Sequence, residues 1–269
     1  MYTSNDHCFV ICAYKNSPYL EDCMRSLKNQ SVTSRVFLVT STPSNTIEHL
    51  CSQYDIPFYV NTTNSHGIGG DWNFALSCAT TKLVTIAHQD DIYKPRYVEE
   101  MLAHINAVTD PLLYFSGYAE LRGNTEVCDN RLLGIKRLML MPLQLRPLAQ
   151  VKLIKRLILA FGNPICCPAV TYVMHKFTRP LFETSYGSNL DWQTWEFLSR
   201  KQGMFVYNPK PLMCHRIHEG SETSRLIENN KREQEDLSML KRFWPTCIAR
   251  AINKLYARGQ MSNQTSKRA

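Results

Sequence analysis

Two neighbouring aspartates, Asp90 and Asp91, follow an apolar segment at 83–87 that is typical of a buried strand. Adjacent carboxylates repel each other and destabilise the fold unless a cation or hydrogen-bond donors compensate their charge. Mg²⁺ and Mn²⁺ prefer carboxylate oxygens, and imidazole also tolerates Mn²⁺, so His88 is a further candidate ligand. Such an ion could neutralise charge on a departing nucleoside diphosphate. The structural alternative is that one aspartate caps the helix predicted near Lys94.

A third carboxylate, Asp191, stands at the start of a predicted helix beside Trp192 and Trp195. A carboxylate within hydrogen-bond reach of a hydroxyl group can act as a general base. The two tryptophans could present their faces to a sugar ring or a lipid. The structural alternatives are helix capping by Asp191 and packing of both indole rings in the core.

Two histidines, His215 and His218, lie three residues apart and flank Arg216. They could ligate a metal or contact phosphate, and the alternative is a pair of structural histidines.

A glycine-rich segment, 66–73, looks like a dinucleotide-binding turn, but Trp72 stands where that fingerprint needs its last glycine. The segment also follows the third predicted strand, whereas the fingerprint belongs after the first. It is better interpreted as a turn that opens a helix, with Asn73 facing a ligand or the sheet.

Strand and helix signals alternate along the first half of the chain. Strands are predicted at 7–13, 36–39, 57–60, 83–87 and 112–115, and helices start at 17, 44, 69 and 94. This alternation indicates βαβ units, an α/β fold and a mostly parallel sheet. Ligands of such sheets bind beyond the carboxyl ends of the strands, so the polar residues after each strand are expected to line a site. The second half is less regular, with strand signals at 168–174 and 204–207 and a helix signal at 191–200.

The net charge of +8 is concentrated in two segments. Residues 131–161 contain seven Lys or Arg and no acidic residue, and so do residues 237–269, which leaves −6 on the other 205 residues. Both segments interleave cations with large apolar side chains. This pattern is typical of amphipathic helices on an anionic membrane, and the alternative is core-facing helices with a solvated basic side. Nucleic-acid binding is not favoured, because no zinc-finger or RNP-type motif accompanies the charge.

The composition bounds the class of protein. The chain has 269 residues, of which 44% are hydrophobic and 20% charged, and this excludes fibrous and wholly disordered proteins. No apolar run approaches the ~18 residues that cross a bilayer, and no secretory signal is visible at the N-terminus. The ten cysteines do not repeat at zinc-binding spacing. We therefore expect reduced, mostly buried thiols and a cytoplasmic location.

Taken together and in order, these motifs resemble the glycosyltransferases of family 2, which have the GT-A fold. The first strand and helix of the family are matched by Phe9-Val10-Ile11-Cys12-Ala13-Tyr14-Lys15-Asn16 with Tyr19-Leu20, Cys23, Ser26-Leu27 and Gln30, and the helix before the metal motif is matched by Gly67 through Asn73. The metal motif itself, Asp-x-Asp-Asp in the family, is His88-Gln89-Asp90-Asp91 here. The family motif Glu-Asp is Leu190-Asp191 here, and Arg-x-His-x-x-Ser is Arg216-Ile217-His218-Glu219-Gly220-Ser221. The resemblance spans roughly residues 7–225.

The resemblance implies an inverting transfer of a sugar from a nucleotide-diphospho-sugar, with a UDP-sugar favoured, to a hydroxyl group. Asp191 would deprotonate that hydroxyl as it attacks the anomeric carbon. A divalent metal, Mn²⁺ or Mg²⁺, held by Asp90 with His88 or His218, would stabilise the leaving diphosphate. Trp192 and Trp195 are the expected acceptor contacts. The expected nucleotide-sugar contacts are Ala13, Tyr14, Asn16, Ser41, Asn73, His88, Gln89 and Asp90.

Three positions depart from the family pattern. His88 replaces the first aspartate of the metal motif, and Thr40-Ser41-Thr42 stands where an acidic pair often contacts the base. Trp72 stands where many members have an arginine near the diphosphate. Each departure affects donor choice or affinity more than the class of reaction.

The resemblance and the charge pattern together predict a domain plan. Residues 1–225 form a GT-A domain with a nucleotide-sugar half at 1–118 and an acceptor half at 119–225, followed by a basic helical extension at 226–258 and a disordered tail at 259–269. In bacterial members of the family the acceptor is often a lipid-linked saccharide of cell-surface polysaccharide assembly. An enzyme docked through 131–161 and 237–258 would be peripheral on the inner face of the membrane and meet such an acceptor there.

Two other functions fit part of the pattern. A sugar nucleotidyltransferase also uses carboxylates and Mg²⁺ on an α/β sheet, but it would normally carry a Gly- and Lys/Arg-rich loop after the first strand, where 13–18 offers only Lys15. A non-catalytic nucleotide-sugar-binding or scaffold protein is favoured by His88 and Trp72. The retention of Asp90 and Asp191 argues against it.

Overall fold

The computed structural model describes the backbone of residues 1–218 and 231–265 and the side chains of residues 1–218 and 232–255. The elements in chain order are β1 (His7–Ala13), α1 (Leu20–Lys28), β2 (Arg35–Thr40), α2 (Asn45–Gln53), β3 (Phe58–Val60), α3 (Ile68–Cys78), β4 (Leu83–His88), β5 (Ile92–Tyr93), α4 (Tyr97–Asn106), β6 (Pro111–Arg122), β7 (Thr125–Val127), α5 (Arg131–Leu140), α6 (Arg146–Ala149), α7 (Lys152–Leu157), β8 (Val170–Val173), α8 (Leu190–Ser199), β9 (Met204–Ile217), α9 (Lys231–Leu240) and α10 (Thr246–Thr265).

A mixed sheet forms the centre of the molecule, with the strand order β3-β2-β1-β4-β8-β6-β9-β5 and β7 paired to β6. The strands β3, β2, β1 and β4 are parallel, as the sequence predicts. The second half of the chain adds the antiparallel strand β8 between β4 and β6, and β9 then pairs parallel to β6. The carboxyl ends of β1 to β4, β6 and β9 and the start of β8 therefore lie at one edge.

Helices cover both faces of β1, which explains its continuous apolar sequence. Phe9 and Ile11 face a core shared with α1 and α4, whereas Val10 faces a core shared with α3. Successive side chains of a strand point to opposite faces, so a strand covered on both sides needs apolar residues at every position.

Two strands are much longer than predicted. The apolar cores of β6 and β9 are extended by segments that contain Ser116, Gly117 and, in β9, Lys210 between two prolines. The two strands pair beyond this irregular region, with register shifts on either side of Gly117. A Cβ atom at Gly117 would lie 2.6 Å from the Pro209 carbonyl oxygen, so the close approach requires glycine. As a result, His215 and Arg216 lie in a strand and not in a loop.

All ten cysteines are free thiols, as their spacing predicts. Five are buried, three are half-buried, and Cys128 and Cys247 are exposed. Burial raises the pKa of the Cys51 thiol to about 11, so buried thiols of this kind remain protonated at neutral pH.

The two basic segments meet in the structure. The end of segment 131–161 packs against the turn between α9 and α10, where the Trp244 indole N–H donates to the Ala160 carbonyl (2.7 Å) and the Phe161 ring lies 5.2 Å from the Trp244 ring. In the described part of the chain, no helix is both long and apolar enough to span a bilayer. Helix α10 runs to Thr265, into the predicted tail at 259–269. The predicted boundary between 225 and 226, like residues 266–269, lies outside the described residues.

One cation of the first basic segment is not at the surface. Lys155 is 0% exposed, and its ammonium donates to the backbone carbonyls of Lys201 (2.8 Å) and Gly203 (2.7 Å). Burial lowers the pKa of Lys155 to about 8. Lys155 therefore joins α7 to the turn before β9.

We expect Lys155→Met to lower the free energy of unfolding by about 1–3 kcal/mol, because two carbonyl oxygens lose their donor. The matched control is Lys152→Met, which alters an exposed lysine of the same helix and should change the free energy by less than about 0.5 kcal/mol. Urea titrations of the two variants measure both values. Equal losses would contradict a structural role for the Lys155 contacts.

Candidate active site

The strand β4 ends at His88, and the turn after it carries Asp90 and Asp91 at the carboxyl edge of the sheet. His88, Asp90 and Asp91 each place one potential ligand atom within 4.8 Å of the others. Helix α4 begins only at Tyr97, with Arg96 at its N-cap, so the capping interpretation of the two aspartates is wrong.

The Asp91 carboxylate is 0% exposed and is held by β9. Its Oδ1 accepts from His215 Nδ1 (3.0 Å) and from the Arg216 backbone N–H (2.9 Å). Its Oδ2 has no hydrogen-bond partner among the described residues and lies 3.9 Å from His88 Nδ1. A buried carboxylate oxygen without a partner is costly, and a cation would satisfy it. These residues therefore fit a divalent metal ion, with two carboxylates and an imidazole as ligands.

The end of β9 also holds Asp90. His218 Nε2 lies 2.9 Å from Asp90 Oδ2, and the Arg216 guanidinium donates to the Asp90 backbone carbonyl (2.9 Å) while it lies 4.3 Å from the Tyr19 ring centroid. Burial lowers the pKa of His215, but the charge of Asp91 outweighs this effect and raises it above the ordinary value. A protonated His215 is a favourable partner for the buried Asp91 carboxylate.

Two of the positions that depart from the family pattern are in contact. The Trp72 indole, 8% exposed, stacks on the His88 ring with centroids 5.1 Å apart and an interplanar angle of 21°. Burial lowers the pKa of His88, which favours its neutral, metal-ligating form. Trp72 thus fixes the plane of the imidazole that replaces an aspartate.

The ends of β1 and β4 are joined by a pair of hydrogen bonds. The Tyr14 backbone N–H donates to Gln89 Oε1 (3.1 Å), and Gln89 Nε2 donates to the Tyr14 carbonyl (3.0 Å). Ala13 is buried, so it can meet a ligand only through its backbone, whereas the Tyr14 side chain is exposed. Asn16 lies nearby at the surface, where its Oδ1 accepts from Ser44 Oγ (2.6 Å).

The ends of β2 and β3 are joined through Asp71 of α3. Ser41 Oγ donates to Asp71 Oδ2 (3.0 Å), and Asn61 Nδ2 donates to Asp71 Oδ1 (2.7 Å). A Cβ atom at Gly70 would lie 2.4 Å from the Ser65 carbonyl oxygen, so the start of α3 can approach this loop only with glycine there. The glycine-rich segment is thus a helix start, as the sequence predicts.

Asn73 has a different environment from the one expected. Its Oδ1 accepts from the backbone N–H groups of Leu181 (2.9 Å) and Phe182 (3.0 Å), and its Nδ2 donates to the Phe182 carbonyl (2.8 Å). The Asn73 carboxamide thus positions the loop before α8, and its contact with a nucleotide stays a prediction.

Asp191 is the second residue of α8, whose N-cap is Asn189. Its Oδ2 accepts from Asn163 Nδ2 (2.7 Å) and its Oδ1 from the Trp192 backbone N–H (2.7 Å). Burial raises the pKa of Asp191 to about 6, and these two donors limit the shift. Burial is the main cause of the raised pKa of the Cys166 thiol, and the negative charges of Asp91 and Asp191 raise it further. The Cys166 side chain therefore lies within electrostatic reach of both carboxylates. A carboxylate tuned toward neutral pH is suited to general base catalysis.

The two tryptophans after Asp191 lie in the core. Trp192 is 1% exposed and donates to the Leu159 carbonyl (3.1 Å), and Trp195 is 0% exposed and stacks on Tyr172. The prediction that they contact an acceptor is wrong, because neither ring can reach a ligand without unpacking the core.

Three residues of the site were not assigned from the sequence. Asp91 was noted as the carboxylate beside Asp90, but only Asp90, His88 and His218 were then assigned as expected ligands. Asp71 stood within the glycine-rich segment as an isolated carboxylate. Asn163 carries no local signal, because 28 residues separate it from Asp191.

Comparison with known sequences finds a family match in the first half of the chain. Residues 8–126 match the family model for glycosyl transferase family 2. Over 235 residues, the chain is 25% identical to an uncharacterized glycosyltransferase of Haemophilus influenzae, and the match covers 83% of this chain and 69% of that protein.

Comparison with solved structures identifies the fold. Residues 1–349 of TarS from S. aureus superpose with a TM-score of 0.58 at 13% identity, over 88% of this chain and 70% of that one. Mannosyltransferase PcManGT from Pyrobaculum calidifontis, in complex with GDP-Man and Mn²⁺, gives a TM-score of 0.60 at 14% identity, over 88% and 63%. Glucosyl-3-phosphoglycerate synthase from Mycobacterium tuberculosis gives 0.55 at 16% identity, over 87% and 80%. The fold is therefore GT-A, as expected.

We expect Mn²⁺ to bind to the purified protein and raise its unfolding temperature, and Asp90→Asn to weaken that binding at least about tenfold. Because an imidazole favours Mn²⁺ over Mg²⁺, His88→Asp should lower the ratio of the affinity for Mn²⁺ to the affinity for Mg²⁺. Calorimetric titration with each ion measures both effects. The control is Asp129→Asn, a change to a carboxylate that is 86% exposed. Equal affinity in wild type and Asp90→Asn would rule out this metal site.

Proposed function

Because residues 8–126 match the family model for glycosyl transferase family 2 and the chain has the GT-A fold, we propose that it transfers a sugar from a nucleotide-diphospho-sugar to a saccharide hydroxyl, with inversion at the anomeric carbon. The observation that carries this proposal is the Asp191 carboxylate, held by Asn163 with a pKa raised to about 6. Carboxylates whose pKa is shifted toward neutral pH concentrate at catalytic sites, where they serve as general bases.

Asp191 accepts the proton of the acceptor hydroxyl as its oxygen attacks the anomeric carbon on the face opposite the diphosphate. The bond from the anomeric carbon to the diphosphate oxygen breaks, and the nucleoside diphosphate leaves. Asn163 and the Trp192 N–H orient the carboxylate for this transfer. The attack from the opposite face inverts the anomeric configuration.

A divalent metal held by His88, Asp90 and Asp91 would neutralise charge on the leaving diphosphate. His215 and the Arg216 backbone fix Asp91, and His218 fixes Asp90 or adds a further ligand. Mn²⁺ is supported as the metal by the imidazole and by its presence with the mannosyltransferase PcManGT and the M. tuberculosis synthase.

The donor is a UDP-sugar in this proposal, with the nucleotide bound by Ala13, Tyr14, Asn16 and Ser41 at the strand ends. The Ser41 hydroxyl proton is committed to Asp71, so Ser41 Oγ can only accept from a ligand N–H or O–H group. TarS is known in complex with UDP-GlcNAc and the M. tuberculosis synthase with UDP, which supports this choice.

The acceptor in this proposal is a lipid-linked saccharide of cell-surface polysaccharide assembly, met at the inner face of the membrane. Residues 1–118 bind the donor, and residues 119–225, which supply Asp191, bind the acceptor. Helices α9 and α10, which carry the second basic segment, extend the enzyme toward the membrane surface.

A thermal unfolding panel of UDP-, GDP-, CMP- and dTDP-sugars, each with and without Mn²⁺, tests the proposed function. A ligand at ~100 times its Kd adds about 2.7 kcal/mol of stability, which such a panel resolves easily. A Mn²⁺-dependent increase with a UDP-sugar is the expected result. No response to any nucleotide-sugar would favour the scaffold alternative.

We expect Asp191→Asn to lower the rate of sugar transfer about 10²–10⁴-fold while donor binding in the thermal panel persists, because the amide cannot accept the proton. With wild type, kcat/KM should fall about tenfold per pH unit below about pH 6, where the carboxylate becomes protonated.

Asn163→Ala provides the matched test of that pH profile. Removal of a donor to the ionised carboxylate raises the pKa of Asp191, so the acid limb of the profile should move to higher pH. A profile that does not move in Asn163→Ala, or full activity in Asp191→Asn, would contradict the assigned base.

A further inference from the structure

Exposed apolar side chains concentrate on the first basic segment. Of the fifteen large hydrophobic side chains that are exposed in the described part of the chain, eight lie within residues 131–161: Ile135, Leu138, Met141, Leu145, Val151, Leu153, Leu157 and Phe161. An exposed apolar concentration of this kind marks an interaction site.

The helices of this segment are apolar on two sides. Leu133, Leu140 and Leu143 are buried in the core, so the core-facing side is already complete. The exposed positions 135 and 138 are three residues apart, which places them on one side of α5, and the exposed Met141 and Leu145 follow in and just after the turn beyond it. Helices α5, α6 and α7 all pack against that turn, so they form one unit. The helices thus have the core-facing side of the structural alternative, but their outer side is apolar as well as basic.

Cations accompany the exposed leucines, and no acidic residue occurs between 131 and 161. Arg131, Arg146 and Lys152 are exposed. We call this the basic apolar surface, and it consists of Arg131, Ile135, Leu138, Met141, Leu145, Arg146, Lys152, Leu153 and Leu157.

We propose that the basic apolar surface docks this protein on an anionic lipid bilayer, with the apolar side chains at the boundary of headgroups and acyl chains and the cations on lipid phosphates. A second copy of the chain fits poorly, because two such surfaces would bring cations together with no acidic residue to pair them. The charge pattern therefore favours a lipid surface over self-association.

The surface borders the proposed general base. Phe161 is the last residue of the first basic segment, and Asn163, two residues later, donates to Asp191. In the same stretch, the Leu159 carbonyl accepts from Trp192. Docking would thus hold the Asp191 side of the site beside the bilayer, where the saccharide of a lipid-linked acceptor lies. This part of the inference rests on the proposed sugar transfer.

The second basic segment extends the docking surface. Trp244 packs on Phe161 and bonds to Ala160, and α10 begins two residues later with Ile248 and Arg250 exposed in its first turns. Segments about eighty residues apart in the chain therefore lie side by side, and each contributes apolar and cationic groups.

Flotation of the full chain with vesicles tests the docking. We expect binding to vesicles of phosphatidylcholine mixed with phosphatidylglycerol to be at least about tenfold tighter than to phosphatidylcholine alone, and to weaken as salt is added. The combined change Leu138→Ser, Leu145→Ser and Leu153→Ser should reduce binding at least about tenfold. The matched control is Tyr59→Ser, Val60→Ser and Phe197→Ser, which removes three exposed apolar side chains elsewhere and should leave binding unchanged.

Equal binding to both vesicle types, or undiminished binding of the leucine variant, would overturn the proposal. A wild-type dimer in sedimentation velocity that the leucine variant abolishes would assign the surface to a second copy instead. Nucleotide-sugar binding measured without vesicles separates the two hypotheses. If no nucleotide-sugar binds but the vesicles do, the proposed function fails and the docking stands.

Discussion

The candidate active site depends on the buried carboxylate of Asp91. A charge with no exposure to solvent is tolerated only where donors surround it, and the donors here come from β9, which is more than 120 residues away along the chain. These hydrogen bonds hold the turn that carries Asp90 and Asp91 against the end of β9. The same strand end then supplies His218 to Asp90 and Arg216 to the turn backbone, so a single desolvated group organises both halves of the domain.

The contact between Trp72 and His88 changes the meaning of two departures from the family pattern. Considered separately, each suggests loss of function, since an aspartate and an arginine are replaced. In the structure the two residues form one unit, in which the Trp72 indole stacks on the His88 ring at the candidate metal site. The local charge balance is also preserved, because one acidic and one basic position become neutral together.

Much of the fold was predictable because a strand that is buried on both faces of the sheet has a continuous run of apolar residues. The first strand matched its predicted span of 7–13, since each of its apolar residues from Cys8 to Ala13 packs in one core or the other. The strand β9 was underestimated because Lys210 and its flanking prolines interrupt the apolar pattern, and only pairing with β6 sustains the strand. Trp192 and Trp195 show a different limit of prediction from sequence. The local sequence around an aromatic residue beside a functional carboxylate is the same whether its ring packs in the core or faces a ligand. Asn163 could not be assigned at all, because its role exists only once α8 is folded against the segment before β8.

The distribution of the cysteines has a practical consequence. Eight of the ten thiols are buried or half-buried, and the two exposed ones, Cys128 and Cys247, lie just before α5 and in the first turn of α10. A maleimide dye or a nitroxide spin label would therefore attach to the native chain at two sites that flank the basic apolar surface. The unaltered protein thus offers its own spectroscopic reporters for the orientation of this surface, without an engineered cysteine.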